Sequence, residues 1–119
     1  MVRRKVKFTV TEKREIEVDV EYPIYRKHDL LSDHSDVVIY TRFGADDLSY
    51  SIHETRTFWG SRQHLEYQMT VETDSLSGND LDYALGQGRY KSSATEFMQV
   101  VERMAKAVHT IPLNESDDA

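Results

Sequence analysis

Between Val6 and Ile24 the apolar residues Val6, Phe8, Val10, Ile16, Val18, Val20, Tyr22 and Ile24 all fall on even positions, with Glu12-Lys13-Arg14 interrupting them. A period of two means strands with one apolar face, since successive side chains of a strand point to opposite sides. Two strands that both bury even residues pair antiparallel only in registers that set even against even. Pairing Val10 with Ile16 across a short loop meets that condition. This register also sets Lys5 opposite Glu21 and Lys7 opposite Asp19, the opposite-charge pairs that favour a hairpin.

The alternation continues with changing parity. In DVVIYTRF, Val37, Ile39 and Phe43 are odd; in LSYSIHETRTF, Leu48, Tyr50 and Ile52 are even; in HLEYQMTVE, Leu65, Tyr67, Met69 and Val71 are odd. Odd against even requires loops with an even number of residues. Pairing Phe43 with Leu48 across Gly-Ala-Asp-Asp, and Phe58 with Gln63 across Trp-Gly-Ser-Arg, provides them. Ile39, Ile52 and Met69 then line up across three strands. Glu54 and Arg56 are turned toward the apolar face by the same register, a misfit that a bulge would relieve.

Residues 74–91, DSLSGNDLDYALGQGRYK, mix turn formers with Leu81, Tyr83 and Leu85, and fit a loop, an edge strand or a short helical turn equally well. Ser93-Ala94-Thr95-Glu96 reads as a capping box. It opens a helix with Phe97, Val100, Val101, Met104 and Val108 on one face, an i,i+4 pair Glu102–Lys106 on the other, and Pro112 to bar continuation. The expected fold is α+β: a five-stranded, largely antiparallel meander with this C-terminal amphipathic helix on its apolar face and the other face open. Residues 1–112 form the single domain and 113–119 an acidic flexible tail.

Composition narrows the chemistry. The 119 residues contain no cysteine, which excludes thiolate catalysis, Cys-ligated zinc and iron–sulfur clusters. The stretch MVRRKVKFTVTEKRE has basic residues without an apolar core, and no apolar run approaches the roughly 20 residues that span a bilayer, so a cytoplasmic location without membrane contact is expected. A formal net charge of −6 argues against a surface that attracts nucleic acid as a whole. Lys5 and Lys7 are matched by acids on the neighbouring strand, which leaves the Arg3-Arg4 end and the Lys13-Arg14 turn as small separate basic spots.

HDLLSDHSD, residues 28–36, is the densest cluster of potential metal ligands, but a turn-forming loop accounts for it. In a helix His28 and His34 would sit about 240° apart. His53 and His64, opposite Gln68 and Thr57, stand roughly 13 Å apart along the strands. No metal and no cofactor is expected. DSLSGNDLD lacks the oxygen ligands and glycine spacing of an EF-hand, and GQGRYKSS lacks the frame of a phosphate-binding Walker loop.

The reading that results is a non-enzymatic protein-binding module, a regulator, an inhibitor or an oligomer subunit, that meets an unidentified protein partner through the exposed sheet face or a second copy of itself through that face or the sheet edge. On that face the register clusters Tyr40, Arg42, His53 and Gln68. The alternative is an anion or nucleic-acid binder using Gly88, Arg89 and Lys91 ahead of the helix. An enzyme stands third, with no catalytic residue and no reaction that the motifs identify.

Overall fold

The computed structural model describes residues 2–73, 76–79, 81–86 and 88–110, the last three in backbone only. Among them are six strands: β1 (Val2–Thr11), β2 (Arg14–Tyr22), β3 (Ile24–Leu31), β4 (Ser35–Phe43), β5 (Ser49–Trp59) and β6 (Arg62–Glu72). A 3-10 turn at Leu76–Gly78 and two helices, α1 (Leu81–Leu85) and α2 (Ala94–Thr110), follow. The class is α+β with antiparallel pairing throughout, but the strands form two sheets rather than one five-stranded meander. β1 and β2 make a two-stranded ribbon, and β3-β4-β5-β6 make a four-stranded sheet in sequence order. The proposed tail over 113–119 lies outside the described residues.

The extra strand is β3. Pro23 has no N–H to give to a ladder, and it separates β2 from a new strand that starts at Ile24. Residues 28–31 of HDLLSDHSD are therefore strand and 35–36 begin the next one. The intervening turn is closed by the Ser32 N–H donating to the Ser35 carbonyl at 2.9 Å and the Ser35 N–H donating to Ser32 Oγ at 3.1 Å.

In the β1–β2 ribbon the parity holds and the register shifts by two. Phe8, not Val10, is opposite Ile16, and Lys5 and Lys7 face Asp19 and Glu17. Val10 is the extra residue of a bulge between Thr9 and Thr11, which tightens the connection to Glu12-Lys13. Glu15, Glu17, Asp19 and Glu21 occupy every odd position of β2, so charge pairing is satisfied in several even registers.

The β5–β6 register is as expected, with Ile52 opposite Met69 and Phe58 opposite Gln63, continued to Trp59 opposite Arg62. Gly60, in the two-residue turn, has φ 63°, a conformation that glycine adopts without a side-chain clash. The β4–β5 register differs by one residue, because Phe43 pairs with Ser49 and the loop holds five residues. Asp47 takes up the added residue in the left-handed region at φ 61°, while the Leu48 N–H donates to Asp46 Oδ1 at 3.2 Å and the Gly44 N–H to the Leu48 carbonyl at 2.9 Å. Every side chain of β4 consequently moves to the opposite face from the one expected.

Both faces of the sheet are covered in part. On one, Tyr40 and Ile52 are buried with Phe97 and Val100 of α2, flanked by Tyr25, Val38, Tyr50, Tyr67, Val101 and Met104. On the other, Phe43 joins Phe8, Val20 and Tyr22 of the ribbon and Leu76 and Ala84 of the segment that follows β6. Arg26 is buried there and donates from Nε to the Ala84 carbonyl at 2.8 Å and from Nη1 to the Gly86 carbonyl at 2.7 Å, closing the end of α1. The start of α2 uses half of a capping box. Ser93 Oγ accepts the Glu96 N–H at 3.1 Å, but the Glu96 carboxylate accepts from Ser92 Oγ at 2.6 Å and Lys27 Nζ at 3.0 Å instead of closing on Ser93.

Candidate protein-binding edge

The one-residue change in β4 decides where the expected surface residues lie. Tyr40 is buried beneath α2, and Arg42 lies on the same face, its guanidinium 5.9 Å from the centre of the Tyr50 ring. His53 and Gln68 remain cross-strand neighbours, but on the opposite face, with Ile39 beside His53. The four residues do not form one patch. The correction follows from the five-residue Gly44–Leu48 loop.

Of the anion-binding candidates, Gly88 has φ 119°, and Arg89 is engaged within the chain. Its Nη2 donates to the Tyr90 hydroxyl at 2.6 Å and its guanidinium lies 4.7 Å from that ring's centre. Lys91 forms an isolated antiparallel bridge with Arg26. His28 packs against Tyr90 and Tyr83, with centroid distances of 5.5 and 6.3 Å, and with Asp29, Leu31, Arg89 and Tyr90 it lines a surface depression of about 320 Å³. His34 sits exposed in the turn. Among the described residues no three His, Asp or Glu side chains converge to hold a metal ion.

Glu54 fills the place that parity marked as a misfit, and no bulge removes it, since pairing runs without interruption on both of its sides. Its partners come from α2 and β6. Arg103 of α2 donates from Nε to Glu54 Oε2 at 2.8 Å and from Nη2 to Oε1 at 3.3 Å, and the Tyr67 hydroxyl donates to Oε2 at 2.8 Å. Burial by itself would raise the Glu54 pKa. The hydrogen bonds from Arg103 and Tyr67 outweigh it and hold the carboxyl below its ordinary value. This network fastens α2 to β5 and β6.

The two edges of the four-stranded sheet are unlike. Beside β3 runs the segment before α2, where the Lys27 N–H donates to the Tyr90 carbonyl at 3.0 Å. β6 has β5 on one side and, among the described residues, no strand on the other. At 11 residues it matches the longest strand here, and RQHLEYQMTVE contains no Pro or Lys, the residues that most often blunt an edge, its charges being Arg62, Glu66 and Glu72. β1, by contrast, carries Arg3, Arg4, Lys5 and Lys7. Helix α2 packs mainly on β4 and β5 and reaches β6 at Tyr67, leaving the flanking residues of that face uncovered. Met69 and Val71 of β6 are therefore 48% and 54% exposed, and Leu65 and Phe58 are exposed beside them. Apolar residues grouped along a strand margin in this way differ from singly scattered surface ones. Edge status could not be inferred from periodicity, because it depends on strand order.

The fold and this margin define a class, an α+β antiparallel-sheet protein whose β6, among the described residues, has no strand on its outer side. Comparison with protein-family models, with curated proteins and with solved structures gives no match. No helix among the described residues is long and apolar enough to cross a membrane.

Proposed function

We propose that this chain is a protein-binding module that receives a partner's β-strand along β6. The observation that carries the reading is the combination on one strand of unpaired backbone groups and the exposed apolar stripe Leu65, Met69 and Val71. In strand addition the backbone hydrogen bonds supply affinity and alternate side chains supply specificity. Residues of the α2 face of β6 offer apolar contacts, while Gln68, with His53 behind it, offers polar ones from the opposite face.

The double variant Leu65→Lys with Met69→Lys tests this. Both side chains are exposed, so the fold should survive with a melting temperature within about 3 °C of wild type, a shift that corresponds to less than about 1 kcal/mol. Association through the edge should be lost, because two ammonium groups would have to be desolvated against the incoming strand. Affinity capture with both proteins side by side reads the difference. A partner retained equally by the two places the binding surface elsewhere.

A further inference from the structure

We propose that the strand received by β6 is β6 of a second copy of this chain, paired antiparallel about a two-fold axis at Tyr67; the inference rests on the reading of β6 as a binding edge. The argument is the self-complementarity of RQHLEYQMTVE. With Tyr67 opposite its own copy, Arg62 stands opposite Glu72, His64 opposite Thr70, Glu66 opposite Gln68, and Leu65 opposite Met69. Opposite charges meet at both ends of the strand, Leu65 meets Met69 and Tyr67 its own copy on the α2 face, where Gln63 also meets Val71, and no like charges face each other.

Neighbouring registers lose these matches. A shift of two residues one way sets Glu66 opposite Glu66. The same shift the other way keeps apolar pairs, Leu65 with Val71 and Tyr67 with Met69, but sets Gln68 opposite itself and carries Arg62 past the end of the partner strand at Glu72, so both terminal Arg62–Glu72 pairs are lost. A shift by one sets Leu65 against Gln68 or Thr70, apolar against polar. A two-fold interface requires such a self-complementary patch, because each residue pair occurs twice. The product is one continuous sheet in which two four-stranded sheets join, with both copies of α2 on the same face. Phe58, Leu65, Met69 and Val71 of each copy then meet across the gap between the helices.

The chain has no cysteine, so introduced thiols report without background. Glu66→Cys and Gln68→Cys are prepared separately, both at exposed positions. In the proposed register these two residues are directly opposed, within the Cα separation that a disulfide tolerates. Each is diagonal to its own copy, at about 7–8 Å, beyond that range. Mild oxidation of an equimolar mixture should therefore give a crosslinked heterodimer several-fold in excess of either variant alone. Sedimentation of the wild-type chain should show a dimer that Leu65→Lys with Met69→Lys converts to monomer. Equal crosslinking in all three samples, or more in Gln68→Cys alone, would overturn the register. A wild-type chain that stays monomeric at 100 micromolar would overturn the second copy as occupant. The edge reading would then stand or fall separately, on whether the lysine pair abolishes capture of another protein.

Discussion

Tyr40→Ala is expected to cost about 3–5 kcal/mol of folding stability, as truncation of a large buried aromatic does. Tyr40 is 7% exposed and shares one cluster with Ile52, Phe97 and Val100, so the cavity would open between sheet and helix, where neighbouring β4 and β5 backbone cannot collapse into it. Burial, with Glu54 nearby, also pushes the Tyr40 phenol above its ordinary pKa. Arg42→Ala supplies the contrast. Arg42 is next but one on the same face, and its truncation removes a contact with the Tyr50 ring that is worth about 0.5–1 kcal/mol. Denaturant midpoints for the two variants separate the possibilities. A stable Tyr40→Ala protein would mean that Tyr40 faces solvent and that the β4–β5 register is the even-loop one.

The second large effect is expected at Glu54. Glu54→Ala leaves the Arg103 guanidinium and the Tyr67 hydroxyl without their acceptor at the β5–α2 interface. Breaking a fully buried ion pair costs about 3–5 kcal/mol; Arg103 is 44% exposed and recovers water, which lowers the expectation to about 2 kcal/mol. The same group imposes a pH dependence. Its folded-state pKa lies below the ordinary carboxyl value of 4.5, so the unfolded chain binds more protons around that pH. The contribution is complete above about 4.5 and is lost as pH falls through the lower folded value. Glu96, held down by Ser92 and Lys27 against the raising effect of burial, acts in the same sense. Stability should decline below pH 4.5, and the decline should be shallower in Glu54→Gln. An unchanged acid slope in that variant would show that the pair is not formed in solution.

How far periodicity reached depended on how many faces each strand buries. β6 and β5 show a single apolar face where they pair, and a Gly-Ser turn joins them, so Ile52 opposite Met69 followed directly from alternation. β4 is contacted on both sides, by α2 through Val38 and Tyr40 and by the ribbon cluster through Phe43. Its run Val37-Val38-Ile39-Tyr40 therefore carries no parity, and the register hung on loop length. That length turned on Asp47 adopting a left-handed conformation, which aspartate tolerates but does not announce. β3 was hidden because HDLL is too polar to resemble a strand, although Pro23 marked the break before it. α2 was legible because an amphipathic stripe and a capping serine are local signals; the face it covers was legible on β5, where Ile52 and Tyr50 meet it, and misread on β4, where Tyr40 takes the place expected for Ile39. Glu54 was recognisable as a charge turned inward, while Arg103, 49 residues away, was a matter of tertiary packing.

Backbone amide exchange along β6 bears most directly on the central claim, that this edge is open in the isolated chain and closes on association. On an edge strand alternate N–H groups point away from the sheet and exchange with solvent, while those that point inward are held by the ladder. At high dilution, alternate amides from Arg62 to Glu72 should exchange fast, whereas the Lys27 amide, bonded to the Tyr90 carbonyl, should be protected at every concentration. Raising the protein concentration should protect the outward set of β6 and leave the rest of the sheet unchanged. Slow exchange at both sets of β6 amides in the dilute monomer would show that the edge is already covered, and concentration-independent fast exchange with a bound partner present would show that the partner docks elsewhere.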